Sequence, residues 1–314
     1  MKKQTKRLFL FAGYDKDGIL DDTLLHYLTE ISKLGDIVLF MDCDVADDSK
    51  LKSVKNLLHY ELSRHSEYDF GSYKRGYMWA YDNKILSKYD WIYLVNDSVY
   101  GPLFNVEPLL RDLESRGADF IGMTDFFDKN TAKHIQSWFI GLSAHVATSK
   151  IIYDFMQNIK HCETKDEIIL KYEVGLSRIL LQNGFQMSAY FNHHKNDPHT
   201  VYQYPNTILE HMIPFIKKPA LNRLPSLVYL LQYTSDELVY KIYNCAKRAC
   251  PDVVLIKTQP QQKYEKYYRF TLLSIPIITV YRKIECCRDT VSYKAYIFDK
   301  IPVAKLLLSK CQNE

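Results

Sequence analysis

The chain has no CxxC pair, and its seven cysteines stand at no metal-ligand spacing. That excludes the common zinc and dithiol frameworks, whose ligands come in closely spaced pairs. An odd number of cysteines, with adjacent Cys286 and Cys287 poorly placed to bridge each other, points to free thiols in a reducing cytoplasm. No stretch reaches ~18 apolar residues, so no transmembrane helix is expected. Met1 to Arg7 carries the charge of a signal n-region, yet the apolar run behind it, Leu8 to Ala12, is too short for an h-region. Internal repeats and low-complexity tracts are absent. No Arg-rich or aromatic–basic element marks a nucleic-acid binder.

What is present is globular. The 314 residues are 47% hydrophobic and 25% charged, which suits one large domain and an appendage. Tyrosine is abundant, at 25 residues. Its apolar ring and polar tip suit either a carbohydrate surface or a tyrosine-rich core. Charge is uneven: residues 1–240 hold 27 Lys and Arg against 31 Asp and Glu, whereas residues 241–314 hold 14 against 6. A basic tail fits an anionic membrane surface, or a small C-terminal subdomain with a solvated basic face. The apolar segment Leu272 to Tyr281 lies inside that tail, flanked by Lys263, Lys266, Arg269, Arg282 and Lys283.

The most telling stretch is Trp91 to Pro102. Five unbroken apolar residues, Trp91 to Val95, give way to Asn96-Asp97-Ser98 and then Gly101-Pro102. Such a run reads as a strand buried on both faces, as in a parallel sheet covered by helices. Ligands bind at the carboxyl ends of such strands, which places Asp97 against a substrate or metal. Upstream, a strand over Arg7 to Ala12, a helix from about Leu20 to Leu34 and a strand over Ile37 to Met41 form a βαβ unit. Helices are expected at Ser49 to His65, through Lys88 ahead of the strand that ends at Asp97, and at 105–116, 149–160, 165–183 and 226–248. Further strands are expected at Asp119 to Met123 and His134 to Leu142.

Among candidate residues Glu173 stands out. Its helical neighbours at i±3 and i±4 are Ile169, Leu170, Leu176 and Ser177, so no local ion pair explains it. A carboxylate among apolar neighbours has a raised pKa, which suits a general base; a partner from another segment is the ordinary alternative. Asp69-Phe70-Gly71 precedes a helix carrying Lys74 and Arg75, an arrangement able to meet phosphate. Asp42-Cys43-Asp44 spells DxD but follows the second strand, which fits a base or ribose contact. His193, His194 and His199 lack a regular metal spacing and read as a loop cluster.

Taken in order, five segments resemble the rhamnan-synthesis F family of glycosyltransferases. They are Tyr68 to Gly76, Leu94 to Pro102, His134 to Phe139, Tyr172 to Ser177, and Asn206-Thr207 with Pro214 to Lys218. The resemblance covers roughly residues 7–222. It implies an α/β fold of GT-A type, a mostly parallel nucleotide-binding sheet flanked by helices. Residues 1–222 would form the transferase domain, with a donor half at about 1–125 and an acceptor half at about 126–222. Residues 223–314 would form a helical, basic C-terminal region. Tyr14, Asp15 and Asp42 would line the nucleotide pocket. Asp69, Gly71 and Arg75 would lie near the donor, and Asn96-Asp97-Ser98 would stand where such enzymes carry DxD. Position 98 is Ser, so one carboxylate of that motif remains; one Asp and two phosphate oxygens still suffice to hold a hydrated Mg²⁺ or Mn²⁺ at Asp97.

The resemblance implies an inverting single displacement. Glu173 would take the acceptor proton, and His134, Gln136 and Trp138 would contact the acceptor. The donor would be a nucleotide-diphosphate rhamnose or hexose. The acceptor would be a growing bacterial cell-surface polysaccharide or lipo-oligosaccharide, glycan or lipid-linked, met at the inner face of the cell membrane by a cytoplasmic, peripheral protein. A sugar-nucleotide hydrolase or nucleotidyltransferase on the same sheet, and a non-catalytic carbohydrate-binding protein, are the other readings.

Overall fold

Side-chain parity in the first strand, β1 (Arg7–Gly13), sets up both layers of the molecule. Phe9 and Phe11 pack to one side, while Leu8, Leu10 and Ala12 pack to the other. That alternation is what a pleated strand buried on both faces requires. The computed structural model describes residues 5–128, 131–192, 212–221, 233–251, 265–272, 275–285, 290–297 and 301–309. They fall into two compact units, Met1–Arg223 and Leu224–Glu314.

In the first unit, β2 (Asp36–Met41) and β4 (Trp91–Asn96) flank β1, both parallel to it. β3 (Leu57–Leu62) extends the parallel edge beyond β2. On the other side β8 (Phe139–Ser143) runs antiparallel between β4 and β6 (Phe120–Phe126). β7 (His134–Ile135) and β9 (Met187–Phe191) both pair with β6, completing an eight-stranded mixed sheet. β5 (Val99–Tyr100) pairs separately with β10 (Ile216–Lys217).

Helices cover both faces, as expected of an α/β sheet. Helix α1 (Asp22–Ser32) and α3 (Glu107–Ser115) join the cluster of Phe9, Phe11, Leu39, Tyr93 and Val95. Helix α2 (Tyr68–Asp82), with α4 (Lys150–Gln157) and α5 (Val174–Gln182), joins that of Leu8, Leu10, Phe40, Ile92 and Leu94. Each such side chain, fully buried, contributes about 1.5–3 kcal/mol. Tyrosine serves this core: Tyr27, Tyr73, Tyr77 and Tyr93 are all buried. Asp21 starts α1, its carboxylate accepting from the amides of Thr23 and Leu24.

Three expectations fail here. Residues 49–65 are not one helix but a short 3₁₀ turn, Ser49–Ser53, followed by the edge strand β3. A half-exposed edge strand mixes polar and apolar residues, which blurs its period. His134 to Leu142 is not one strand: it divides into β7 and β8, with Gln136-Ser137-Trp138 between them. Residues 165–183 are not a uniform helix, because a π turn at Ile169–Glu173 interrupts them.

The second unit is not wholly helical. After a helix α6 (Asp236–Ala249), capped by Ser235, come four antiparallel strands in sequence order. These are β11 (Glu265–Leu272), β12 (Ile275–Glu285), β13 (Thr290–Ile297) and β14 (Ile301–Ser309). Apart from Pro276, residues Ile275 to Val280 are β-branched and favour the extended conformation, and they lie in β12. No helix among the described residues is long and apolar enough to cross a membrane.

Candidate active site

The strand order reverses between β1 and β4: β2 and β3 lie on one side of β1, and β4 on the other. Crevices at such points bind ligands in open α/β sheets. Tyr14 and Asp15 follow β1, Asp42 follows β2, and Asp97 and Ser98 follow β4, so the expected donor residues lie along one rim of the sheet. The amide of Asp97 donates to the carbonyl of Ala12, closing this rim.

From there a directed chain of hydrogen bonds crosses the site. Lys217 Nζ donates to Ser98 Oγ at 2.8 Å, and Ser98 Oγ donates to Asn96 Oδ1 at 2.5 Å. Asn96 Nδ2 then donates to Asp69 Oδ2 at 2.8 Å. A cation heads the chain and a carboxylate ends it, which polarises every link in the same sense. Burial, and then the charge of Asp97, push the Asp69 carboxyl up to about 6. Burial pulls Lys217 down to about 8, against the carboxylates of Glu173, Asp69 and Asp97. Its ammonium also lies 5.5 Å from the ring centre of Trp138.

Asp97 is paired. Its Oδ2 lies 3.3 Å from Lys218 Nζ, and it accepts from the Tyr14 amide. Burial nevertheless raises its pKa, with Lys218 opposing.

Glu173 ends the π turn, a distortion frequent at functional sites. Its Oε1 meets His134 Nε2 at 3.2 Å, and its Oε2 accepts from the Ser137 amide at 2.7 Å and from the Ser137 hydroxyl. Burial alone would raise this carboxyl, but the bonds from His134 and Ser137 prevail and its pKa falls below the ordinary value. The expected rise is thus reversed, because the partners come from β7 and from the segment joining it to β8. Glu173 and Asp97 belong to one charge cluster: both act on Asp69 and on Lys217. Tyr73, on α2, donates from its buried hydroxyl to the Ser137 carbonyl and so ties α2 to the same segment.

Other expected residues are occupied elsewhere. Arg75 Nη1 donates to Glu67 Oε2 at 2.6 Å and to the Gly71 carbonyl. Lys74 donates to the carbonyl of Ile159. Asp69 and Gly71 lie within the first turn of α2 rather than ahead of it. A Cβ at Gly71 would fall 2.3 Å from that of Glu67 and 2.9 Å from the His65 ring. Asp42 spends its oxygens on the amides of His65, Ser66 and Tyr68, shaping the entry to α2. Asp15 Oδ1 accepts from the amides of Asp17 and Ile19, and the Arg64 guanidinium sits 5.6 Å over the exposed Tyr14 ring.

The three expected acceptor contacts, His134, Gln136 and Trp138, are all buried. Trp138 is 2% exposed, and its indole N–H donates to Thr124 Oγ1. Gln136 is buried too, accepting from the same hydroxyl at 2.8 Å. Both side chains are thus engaged inside the protein, Trp138 also against the Lys217 ammonium. His134 is buried as the partner of Glu173. His193, His194, His199, Asn206 and Thr207 lie outside the described residues.

A model of the rhamnan synthesis protein F family matches residues 38–260, more than two thirds of the chain. The chain belongs to that family. Membership ties it to rhamnan synthesis, a branch of polysaccharide biosynthesis. A search of curated proteins finds no match. The family match runs past residue 222 and takes in α6, so family character is not confined to the first unit.

Sequence reasoning missed the two lysines. Pro214 to Lys218 carried the family resemblance, yet Lys217 and Lys218 were assigned no role. The signal was there: two lysines end an apolar stretch, Ile213 to Ile216, that is buried throughout. Only the pairing of Lys217 with Val99 shows which site they enter.

A divalent cation fits this family member's residues poorly. Asp97 is already paired with Lys218, and the Ser98 hydroxyl bonds Lys217 and Asn96. Among the described residues no group of three or more His, Cys, Asp or Glu side chains is placed to hold a metal.

Proposed function

We propose that this family member is a glycosyltransferase. It would move rhamnose or a hexose from a nucleotide diphosphate to a growing cell-surface glycan by an inverting single displacement. The acceptor hydroxyl gives its proton to Glu173 while its oxygen forms a bond to the anomeric carbon. The bond from that carbon to the diphosphate oxygen breaks, and its electron pair leaves with the diphosphate. One glycoside, one nucleoside diphosphate and one proton result. Attack opposite the leaving group inverts the anomeric centre.

What carries the reading is the company of Glu173. It is a carboxylate kept ionised by its partners, and so able to accept a proton, whose charge bears on Lys217 and Asp69 beside the carboxyl ends of the parallel strands, as that of Asp97 does. Glu173 and Asp97 are about one-seventh exposed, so both are within reach of a ligand. Three of the four lone-pair positions of Glu173 are engaged by His134 and Ser137, leaving one for an incoming hydroxyl. A base within hydrogen-bond reach contributes roughly 10²–10⁴-fold. Tyr14 and Asp15, at the end of β1, would face the nucleotide. The excess of Lys and Arg in residues 241–314 supports docking on an anionic membrane surface.

The experiment is a transfer assay with nucleoside-diphosphate rhamnose and hexoses and an extracted polysaccharide acceptor. Sugar incorporation by the wild-type chain, lost in Glu173→Gln, is expected. Release of free sugar at a rate that no acceptor increases would instead show a hydrolase. An active Glu173→Gln protein would remove the proposed base.

A further inference from the structure

We infer that Lys217 and Lys218 take the place of a divalent cation, so that the donor diphosphate is bound by two lysines without metal. The inference rests on the glycosyltransferase reading of this site and names what holds its leaving group.

The argument begins with position 98. A DxD motif brings two carboxylates to a cation, and here the second is a serine. Its hydroxyl is not idle: it receives a hydrogen bond from Lys217 at 2.8 Å. The remaining carboxylate, Asp97, meets Lys218 at 3.3 Å. Each of the two positions that would face a metal therefore faces an ammonium group.

The backbone makes this arrangement specific. β10 pairs with β5, setting Lys217 opposite Val99, and the Lys218 amide donates to the Ser98 carbonyl at 2.9 Å. Both lysines are thus fixed to the segment that follows Asp97. Lys217 is 8% exposed, and only one of its three N–H donors has an acceptor among the described residues, the Ser98 hydroxyl. A buried ammonium left with unused donors is costly unless an anion completes it. A diphosphate, with oxygens that accept charge-assisted bonds, supplies what is missing. The same two cations would stabilise the negative charge that develops on the leaving group, the task otherwise given to a metal.

The test uses the full-length chain freed of metal by EDTA, titrated calorimetrically with UDP, dTDP, GDP, CDP and ADP and with the matching monophosphates. At least one diphosphate should bind in EDTA, with Kd changed by less than about threefold when millimolar Mn²⁺ or Mg²⁺ replaces the chelator. Lys217→Met should weaken that diphosphate by about tenfold or more, while the monophosphate changes little. Lys217→Arg should keep most of the affinity. Binding abolished by EDTA and restored by Mn²⁺ would overturn the inference and leave the transferase reading standing. Equal weakening of mono- and diphosphate in Lys217→Met would also overturn it, because that is how a merely structural lysine behaves. Failure of every nucleotide to bind in both conditions would defeat the transferase reading, and this inference with it. The comparison of EDTA with Mn²⁺ needs only the wild-type protein, so a variant that fails to fold does not spoil it.

Discussion

His134 places Nε2 3.2 Å from Glu173 Oε1 and Nδ1 2.8 Å from the Ala132 carbonyl. A carbonyl only accepts, so Nδ1 carries a proton. An ionised carboxylate only accepts as well, so below the raised pKa of the ring Nε2 carries one too and the pair is an imidazolium beside a carboxylate. The directions of both pKa values agree. Burial opposes the charged ring, but bonds to Glu173 and Ala132 raise His134 above its ordinary value. Bonds from His134 and Ser137 lower Glu173. Glu173 is therefore kept ionised by a neighbour 39 residues away.

The pair makes stability depend on pH in two opposite ways. A histidine raised above 6.5 gives its full contribution below 6.5 and loses it as pH rises through the raised value. A carboxylate lowered below 4.5 contributes above 4.5 and loses it as pH falls through the lowered value. The advantage of wild type over His134→Asn in melting temperature should thus be widest between those limits and narrow on either side. A difference constant from acid to alkaline pH would contradict the ion pair.

Glu173→Gln should separate chemistry from binding. The amide keeps the shape but is no base, so turnover should fall by roughly 10²–10⁴-fold with donor Kd nearly unchanged. Loss of donor binding in parallel would assign Glu173 to the donor site instead.

Lys217 gives the donor site its own pH profile. Burial lowers its pKa to about 8, so it is charged at neutral pH and neutral in mildly alkaline solution. Diphosphate affinity should hold below about 8 and then decline, by up to about tenfold per pH unit, because only the ammonium binds the anion. Lys217→Arg, which stays charged, should flatten the decline. Calorimetric titration from pH 6.5 to 9.5 reads both.

How much of this was legible in the sequence varies with how local each cause is. The Trp91 to Val95 run identified a doubly buried strand because burial on two faces removes every polar residue from it, and β4 is buried throughout. The acidic end of that strand followed from the same pattern. Edge strand β3 did not, since exposure lets polar residues break its alternation. The C-terminal strands were missed although Ile275 and Ile277 to Val280 are β-branched, because an apolar run flanked by basic residues also fits a membrane-facing segment. Glu173 drew notice for lacking a nearby cation, and the pKa inference failed because no local pattern reveals a partner across the fold. Ser98 and Lys217 are 119 residues apart, and pairing of β5 with β10 is what joins them.

Outside the site, the buried ion pair of Arg7 and Glu114 predicts a stability effect. Arg7 donates Nε and Nη2 to the two oxygens of Glu114 at 2.6 and 2.7 Å, and Tyr93 donates to Oε1 at 2.6 Å. Both partners are almost wholly buried, at 3% and 7% exposure. Glu114→Ala would leave a guanidinium and a phenol without their acceptor in a low-dielectric layer. Removing one member of such a pair costs about 3–5 kcal/mol. Urea unfolding of the variant should show a loss of that order, and a loss below about 1 kcal/mol, the range of surface pairs, would mean water reaches the pair.

Tyr27 predicts a change of the opposite sign. Its ring packs between Phe11 and Phe215, and its buried hydroxyl has no hydrogen-bond partner among the described residues. Burial pushes that phenol well above its ordinary pKa, with the charge of Asp97 adding to the shift. An unpaired buried hydroxyl costs about 1–3 kcal/mol. Tyr27→Phe deletes the hydroxyl and keeps the ring, so the melting temperature should rise while the packing against Phe11 and Phe215 persists. If the variant is instead less stable, the hydroxyl has an acceptor in solution. Diphosphate titration of the same variant then decides whether that acceptor belongs to the site: weaker binding would assign the Tyr27 hydroxyl, close enough to sense Asp97, to the donor pocket.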